Sequence, residues 1–146
     1  MSTYSFLDVS ANITGIGGSI NLGNGAATSD EGITVTMSED KNTMVTGADG
    51  EVMHSLHAGK SGTITVNLLK TSPTNAKLSV MYNAQSQSSA TWGNNVIVIR
   101  NKSSNDVSTA RVVAFKKQPD WQNAKDGSTV AWVFDAGKID QLLGTF

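Results

Sequence analysis

Gly62-Thr-Ile-Thr-Val-Asn-Leu-Leu69 alternates apolar and polar residues along nearly its whole length. An extended chain turns successive side chains to opposite faces, so Ile64, Val66 and Leu68 share one side and the polar residues take the other. Ile33-Thr-Val-Thr-Met37 has the same pattern, with Ile33, Val35 and Met37 on one face. Upstream, Leu7-Asp-Val-Ser-Ala11 and Ser19-Ile-Asn-Leu22 flank Gly15-Ile-Gly-Gly18, which reads as two short strands around a turn. Downstream, strands are expected at Asn95–Arg100, Val107–Lys117 and Thr129–Asp135, with Asn101–Asp106 as the turn between the first two. Val130, Trp132, Phe134 and Ala136 would line one face, and the two aromatic residues can anchor a core.

The periodicity changes at Ser72-Pro73. Serine can cap free backbone amides, and proline at a first helical position has no amide to leave unsatisfied. Leu78, Met81, Tyr82 and Gln85 then recur at three- and four-residue spacing, predicting one amphipathic helix over about 73–87. The sum is a mainly β chain of about seven to nine antiparallel strands, a barrel or sandwich with one flanking α-helix.

Between the strands lies a polar stretch, about 38–61, holding Glu39-Asp-Lys-Asn42 and Thr46-Gly-Ala-Asp-Gly-Glu51. Asp49-Gly50 is a strong hairpin-turn signal. Met44, Val45, Val52, Met53 and Leu56 add apolar groups to this projecting arm, which contact with another subunit would account for.

The 146 residues fit a single domain spanning 1–146. An apolar fraction of 38% with 16% charged residues suits a folded chain, and 14 glycines favour turns. With 11 basic against 12 acidic residues, there is no overall positive field to hold nucleic acid or an anionic membrane. The absence of cysteine removes disulfides, thiolate nucleophiles and zinc-thiolate sites. Met1–Asp8 lacks the basic and apolar regions of a signal peptide, and no apolar run nears the roughly 20 residues that span a bilayer. The expectation is a soluble, unexported product without membrane insertion.

Chemistry-bearing motifs are weak. Ala58-Gly-Lys-Ser61 resembles the end of a phosphate loop, but His54 stands where the first glycine is required and a strand follows instead of a helix. The glycines of 15–23 lack dinucleotide-fingerprint spacing. His54 and His57, with Glu51 nearby, are spaced as metal ligands on a helix, yet the segment does not read as helical. No nucleophile elbow or oxyanion-hole motif accompanies the serines. Arg111, Lys116, Lys117 and Trp121 make the most basic and aromatic patch, able in principle to stack on single strands, although a solvated strand face and a core tryptophan is the simpler reading. No enzyme activity and no cofactor are expected.

Ile33–Lys41, Thr46–Met53, Lys60–Leu68 and the helix after Ser72-Pro73, taken in order, resemble the tail tube proteins of tailed bacteriophages, especially those with contractile tails. The resemblance covers nearly the whole chain and lies in layout, without an invariant catalytic signature. It implies a virion structural protein of the tail, assembled in the host bacterial cytoplasm. Subunits of this kind form hexameric rings with a continuous inner barrel, and the rings stack into a hollow conduit for genome delivery. The tape-measure protein would lie inside, a sheath outside, and double-stranded DNA would pass through without sequence-specific binding. An early hairpin or loop reaches the adjoining ring in such proteins, and by position that role falls to Met44, Val45, Asp49, Gly50, Val52, Met53 and Leu56. The inner tube of a type VI secretion system or phage-tail-like bacteriocin is an alternative on the same fold. An alternative of another class is a monomeric β-sandwich that binds carbohydrate on Trp92 or Trp121.

Overall fold

A computed structural model describes residues 2–146. Nine strands and one α-helix follow in the order β1 (Val9–Gly15), β2 (Gly18–Asn21), β3 (Thr28–Met37), β4 (Asn42–Thr46), β5 (Val52–Leu56), β6 (Gly62–Leu69), α1 (Thr74–Gln85), β7 (Asn95–Asn101), β8 (Asp106–Lys117) and β9 (Thr129–Leu142). Seven strands form one antiparallel sheet in the order β2-β1-β7-β8-β9-β6-β3, and β4 and β5 form a separate two-stranded sheet. The mainly β, antiparallel architecture with a single flanking helix is thus as the sequence predicts.

Alternation in sequence becomes alternation in burial. On β6, Ile64, Val66 and Leu68 are fully buried, and opposite them on β9 stand Phe134, Trp132 and Val130. Phe115 of β8 meets Phe134 at a ring-centroid distance of 4.9 Å, and Trp132, Tyr82 and Trp92 surround it. The sheet folds over this core into sandwich-like layers. Thr28 Oγ1 donates to Leu22 O at 3.0 Å beside the β2 end, but β2 and β3 share no ladder, so the barrel does not close. Both edges of the sheet are left without a strand partner among the described residues.

The helix is two residues shorter at its C-terminal end than predicted and begins after Pro73, which sits at the cap with φ −66° and ψ −18°. Ser72 nevertheless performs the capping chemistry: its Oγ accepts from Thr74 N at 3.2 Å and donates to Ala26 O at 2.5 Å. Leu78, Met81 and Gln85 face the core, with Tyr82 packed beside them. Gln85 is fully buried, and its amide pairs reciprocally with Asn95 at 2.7 and 2.8 Å while also donating to Ile16 O at 2.9 Å. A Cβ at Gly15 would overlap Asn95 Oδ1, so glycine at this position is what admits the amide pair. Helix, β7 and the β1–β2 turn are thereby locked together.

β8 and β9 shift phase midway. Ile97 of β7 pairs with Ala110, yet Asn95 pairs with Val113, leaving an extra residue on β8. Val112 takes φ +55°, a strained conformation for a β-branched side chain, of order 1–3 kcal/mol. Across from it, a Cβ on Gly137 would lie 3.0 Å from Val112 Cβ. Beyond this point the buried residue on β9 is Ile139, and continued alternation from Ala136 would have placed Lys138 and Asp140 inward.

Candidate functional site: an apolar hairpin outside the core

β4 and β5 pair from Asn42↔Leu56 to Thr46↔Val52. The turn beyond them is closed by Gly47 N donating to Glu51 O at 2.7 Å and Gly50 N donating to Gly47 O at 3.0 Å. Gly50 has φ +89°, where a side chain is disfavoured, and Asp49 Oδ1 accepts from Glu51 N at 3.1 Å. Asp49 and Gly50 therefore define the tip.

Register divides the apolar residues between both faces. Val45 and Met53 are directly opposite each other on one face, and Met44, Val52 and Leu56 share the other. All five are exposed, from 48% at Val52 to 81% at Leu56. An isolated two-stranded ribbon is marginally stable in water, and a ribbon apolar on both sides needs a surface on each.

The two histidines belong to this hairpin but not to one another. Asn42 Nδ2 lies 3.1 Å from His54 Nδ1, and Thr43 Oγ1 lies 2.7 Å from His57 Nε2, which puts the rings on opposite faces. Among the described residues no group of three or more His, Asp or Glu side chains is arranged to hold a metal. Lys60 and Ser61 of the loop-like motif lead directly into β6, and Ser61 O accepts from Ser38 N at 3.1 Å.

The base of the hairpin is tied to the sheet. Ile139 N donates to Lys60 O at 2.8 Å, and the Lys60 ammonium is 3.2 Å from Asp140 Oδ1. Arg111 meets the other Asp140 oxygen at 2.5 Å. The hydrogen bond and charge of Lys60, reinforced by Arg111, hold the Asp140 carboxyl below its ordinary value.

Two tryptophans depart from sequence expectation. Trp121 is not in the core: it stands on the irregular segment between β8 and β9 and is 88% exposed. Arg111 is engaged with Asp140 in mid-strand, which takes it out of the expected basic and aromatic patch. Trp92 contacts Tyr82 edge-on at 6.0 Å and lies 6.5 Å from Phe115, so it serves the aromatic cluster more than an open platform. No described helix is long and apolar enough to cross a membrane.

The chain is thus an open antiparallel sheet with a flanking helix, two edges unpaired among the described residues and a solvent-exposed apolar hairpin. The chain matches the family model of the Bacteriophage PhiTE tail tube protein over residues 1–144 and belongs to that family of phage tail tube proteins. No curated protein sequence matches it. Among solved structures, it is similar to a chain of the PVC extracellular contractile injection system sheath-tube complex in the extended state, with TM-score 0.63 and 9% identity over 97% of this chain and 92% of that one. The anti-feeding prophage tube terminating cap gives TM-score 0.61 and 10% identity over 99% and 93%. The PVC sheath/tube terminator gives 0.60 and 10% over 97% and 98%. At these identities the likeness is one of fold.

Proposed function

We propose that this tail tube subunit assembles into hexameric rings that stack into a hollow conduit, and that the β4–β5 hairpin makes the contact between rings. The observation that carries the reading is the hairpin's exposed apolar surface on both faces, outside the core of a family whose members build tubes. Burying one such side chain fully contributes roughly 1.5–3 kcal/mol before the costs of association. Met44, Val45, Val52, Met53 and Leu56 supply that energy, while Asp49 and Gly50 set the tip. The free edges at β2 and β3 are suited to joining neighbouring subunits around the ring axis.

In this reading the protein has no catalytic role. It assembles in the host bacterial cytoplasm, becomes part of the virion tail, surrounds the tape-measure protein and later passes double-stranded DNA. A contractile sheath outside the tube is supported by the shared fold with the PVC sheath-tube complex. That same fold supports a second reading, the inner tube of an injection or secretion apparatus, with identical subunit mechanics. The whole chain acts as a single domain with the arm at 38–61 as its projecting part.

The test removes the hairpin. His57 N donates to Lys41 O at 2.9 Å, so the two ends are adjacent and a short Gly-Gly link can replace residues 42–56. The variant is expected to keep its circular dichroism and melting temperature and to give no tubes by negative-stain microscopy where the intact chain forms them. Full-length tubes from the shortened chain would remove the hairpin from the stacking contact.

A further inference from the structure

Trp121 is the most exposed large apolar side chain among the described residues. Its segment is held in place: Lys70 Nζ donates to Gln122 O and, at 3.0 Å, to Asn123 Oδ1. Lys116 and Lys117 precede the tryptophan and Lys125 follows it, outnumbering Asp120 and Asp126. With Lys70 added, the segment and its anchor carry four lysines against two aspartates, a small positive excess.

At the other end of the same strands, where β8 begins and β9 finishes, lies an open cavity of about 530 Å³. Phe6, Ile33, Val35 and Ile99 contribute apolar wall, Asp30 and Asp106 contribute carboxylates, and the lining includes no Lys or Arg. Ser108 also lines it, and its Oγ is buried without a hydrogen-bond partner. Trp brings a large apolar ring that buries about 200 Å² together with a single N–H.

We infer that Trp121 of one copy inserts into this cavity of a second copy, a head-to-tail contact that works alongside the hairpin; it rests on the tube reading above. Strand length excludes the contact within one chain. β8 has 12 residues, and at about 3.4 Å per residue its ends stand roughly 37 Å apart. Charge selects this occupant over the hairpin tip, because Asp49 and Glu51 would meet Asp30 and Asp106 with like sign, whereas the lysines around Trp121 meet them with opposite sign. A contact joining different surfaces of identical subunits either closes a ring or propagates along an axis, and both occur in the proposed tube.

The chain has no cysteine, which makes cross-linking clean. Trp121→Cys and Val107→Cys chains are mixed under assembling conditions, oxidised and resolved on a non-reducing gel, with Asp49→Cys as the competing partner. In parallel, Trp121→Ala is compared with wild type for assembly by light scattering and for melting temperature. The expected result is a 121–107 disulfide between chains, none from 49 to 107, and a critical concentration raised about tenfold or more by Trp121→Ala without loss of melting temperature. If wild type assembles, Trp121→Ala assembles equally and no 121–107 disulfide forms, this contact is overturned and the tube reading stands. A 49–107 disulfide in its place also overturns it. If wild type stays monomeric at every concentration, the tube reading falls and takes the contact with it.

Discussion

The seven-stranded sheet and the β4–β5 hairpin are both antiparallel, but they distribute their apolar residues in opposite ways. On β6 the apolar row Ile64, Val66 and Leu68 is fully buried against β9, so its stabilisation is collected within one chain. On the hairpin, Val45 and Met53 face one way, Met44, Val52 and Leu56 the other, and all remain in water. Alternation puts one apolar face on a sheet that covers a core. Apolar residues on both faces of a two-stranded ribbon leave two apolar surfaces in water, and in the proposed tube these are covered by other subunits. Folding and assembly are therefore separable, and substitutions should sort cleanly between them.

The largest effect on folding is expected from Phe134→Ala. Phe134 is fully buried against Phe115, and truncation of such a ring costs about 3–5 kcal/mol. At about 2–4 °C per kcal/mol for a chain of this size, calorimetry should find melting lowered by roughly 6–20 °C. The hairpin pair Val45→Ser with Met53→Ser tests the other side of the comparison. Melting should move by no more than the change typical of surface sites, about 0.5 kcal/mol, while sedimentation should find assembly weakened by an order of magnitude or more. A large drop in melting temperature would place these side chains in the monomer's own stability.

The smallest effect concerns the salt link at the hairpin base. The folded Asp140 carboxyl titrates below its ordinary value because of Lys60 and, secondarily, Arg111. Its contribution to stability is thus complete above the unfolded value near pH 4 and is lost as pH falls through the lower folded value. Asp140→Asn should flatten the acid limb of the stability profile below about pH 4 and leave neutral stability nearly unchanged, since the link is exposed and screened. Urea melts from pH 2 to 7 would measure this difference.

Strands at 33–37 and 62–69 were legible because each alternates apolar and polar residues, those at 95–100 and 129–135 because each is a short apolar run rich in β-branched or aromatic residues, and Asp49-Gly50 located the hairpin tip by turn chemistry alone. What stayed hidden depends on partners far apart in sequence. The last part of β9, through Leu142, breaks alternation opposite the β8 bulge at Val112, and only pairing places the two side by side. Spacing put Gln85 on the inner helix face without indicating that Asn95 would satisfy its amide or that Gly15 must leave room. Trp121 has core-like chemistry in a list of residues; the expected strands already ended at Lys117 and resumed at Thr129, so its place between them was legible, but its exposure was not. The hairpin's apolar residues could be named from sequence, whereas their division between two faces required the Val45↔Met53 register.

Hydrogen exchange read by mass spectrometry over residues 42–56, in free subunits and in assembled material, tests the separation of folding from assembly most directly. The hairpin amides are expected to exchange quickly in the free subunit, where β6 and β9 are protected, and to become protected on assembly. Hairpin amides that exchange as fast in the assembled state as in the free subunit would contradict it.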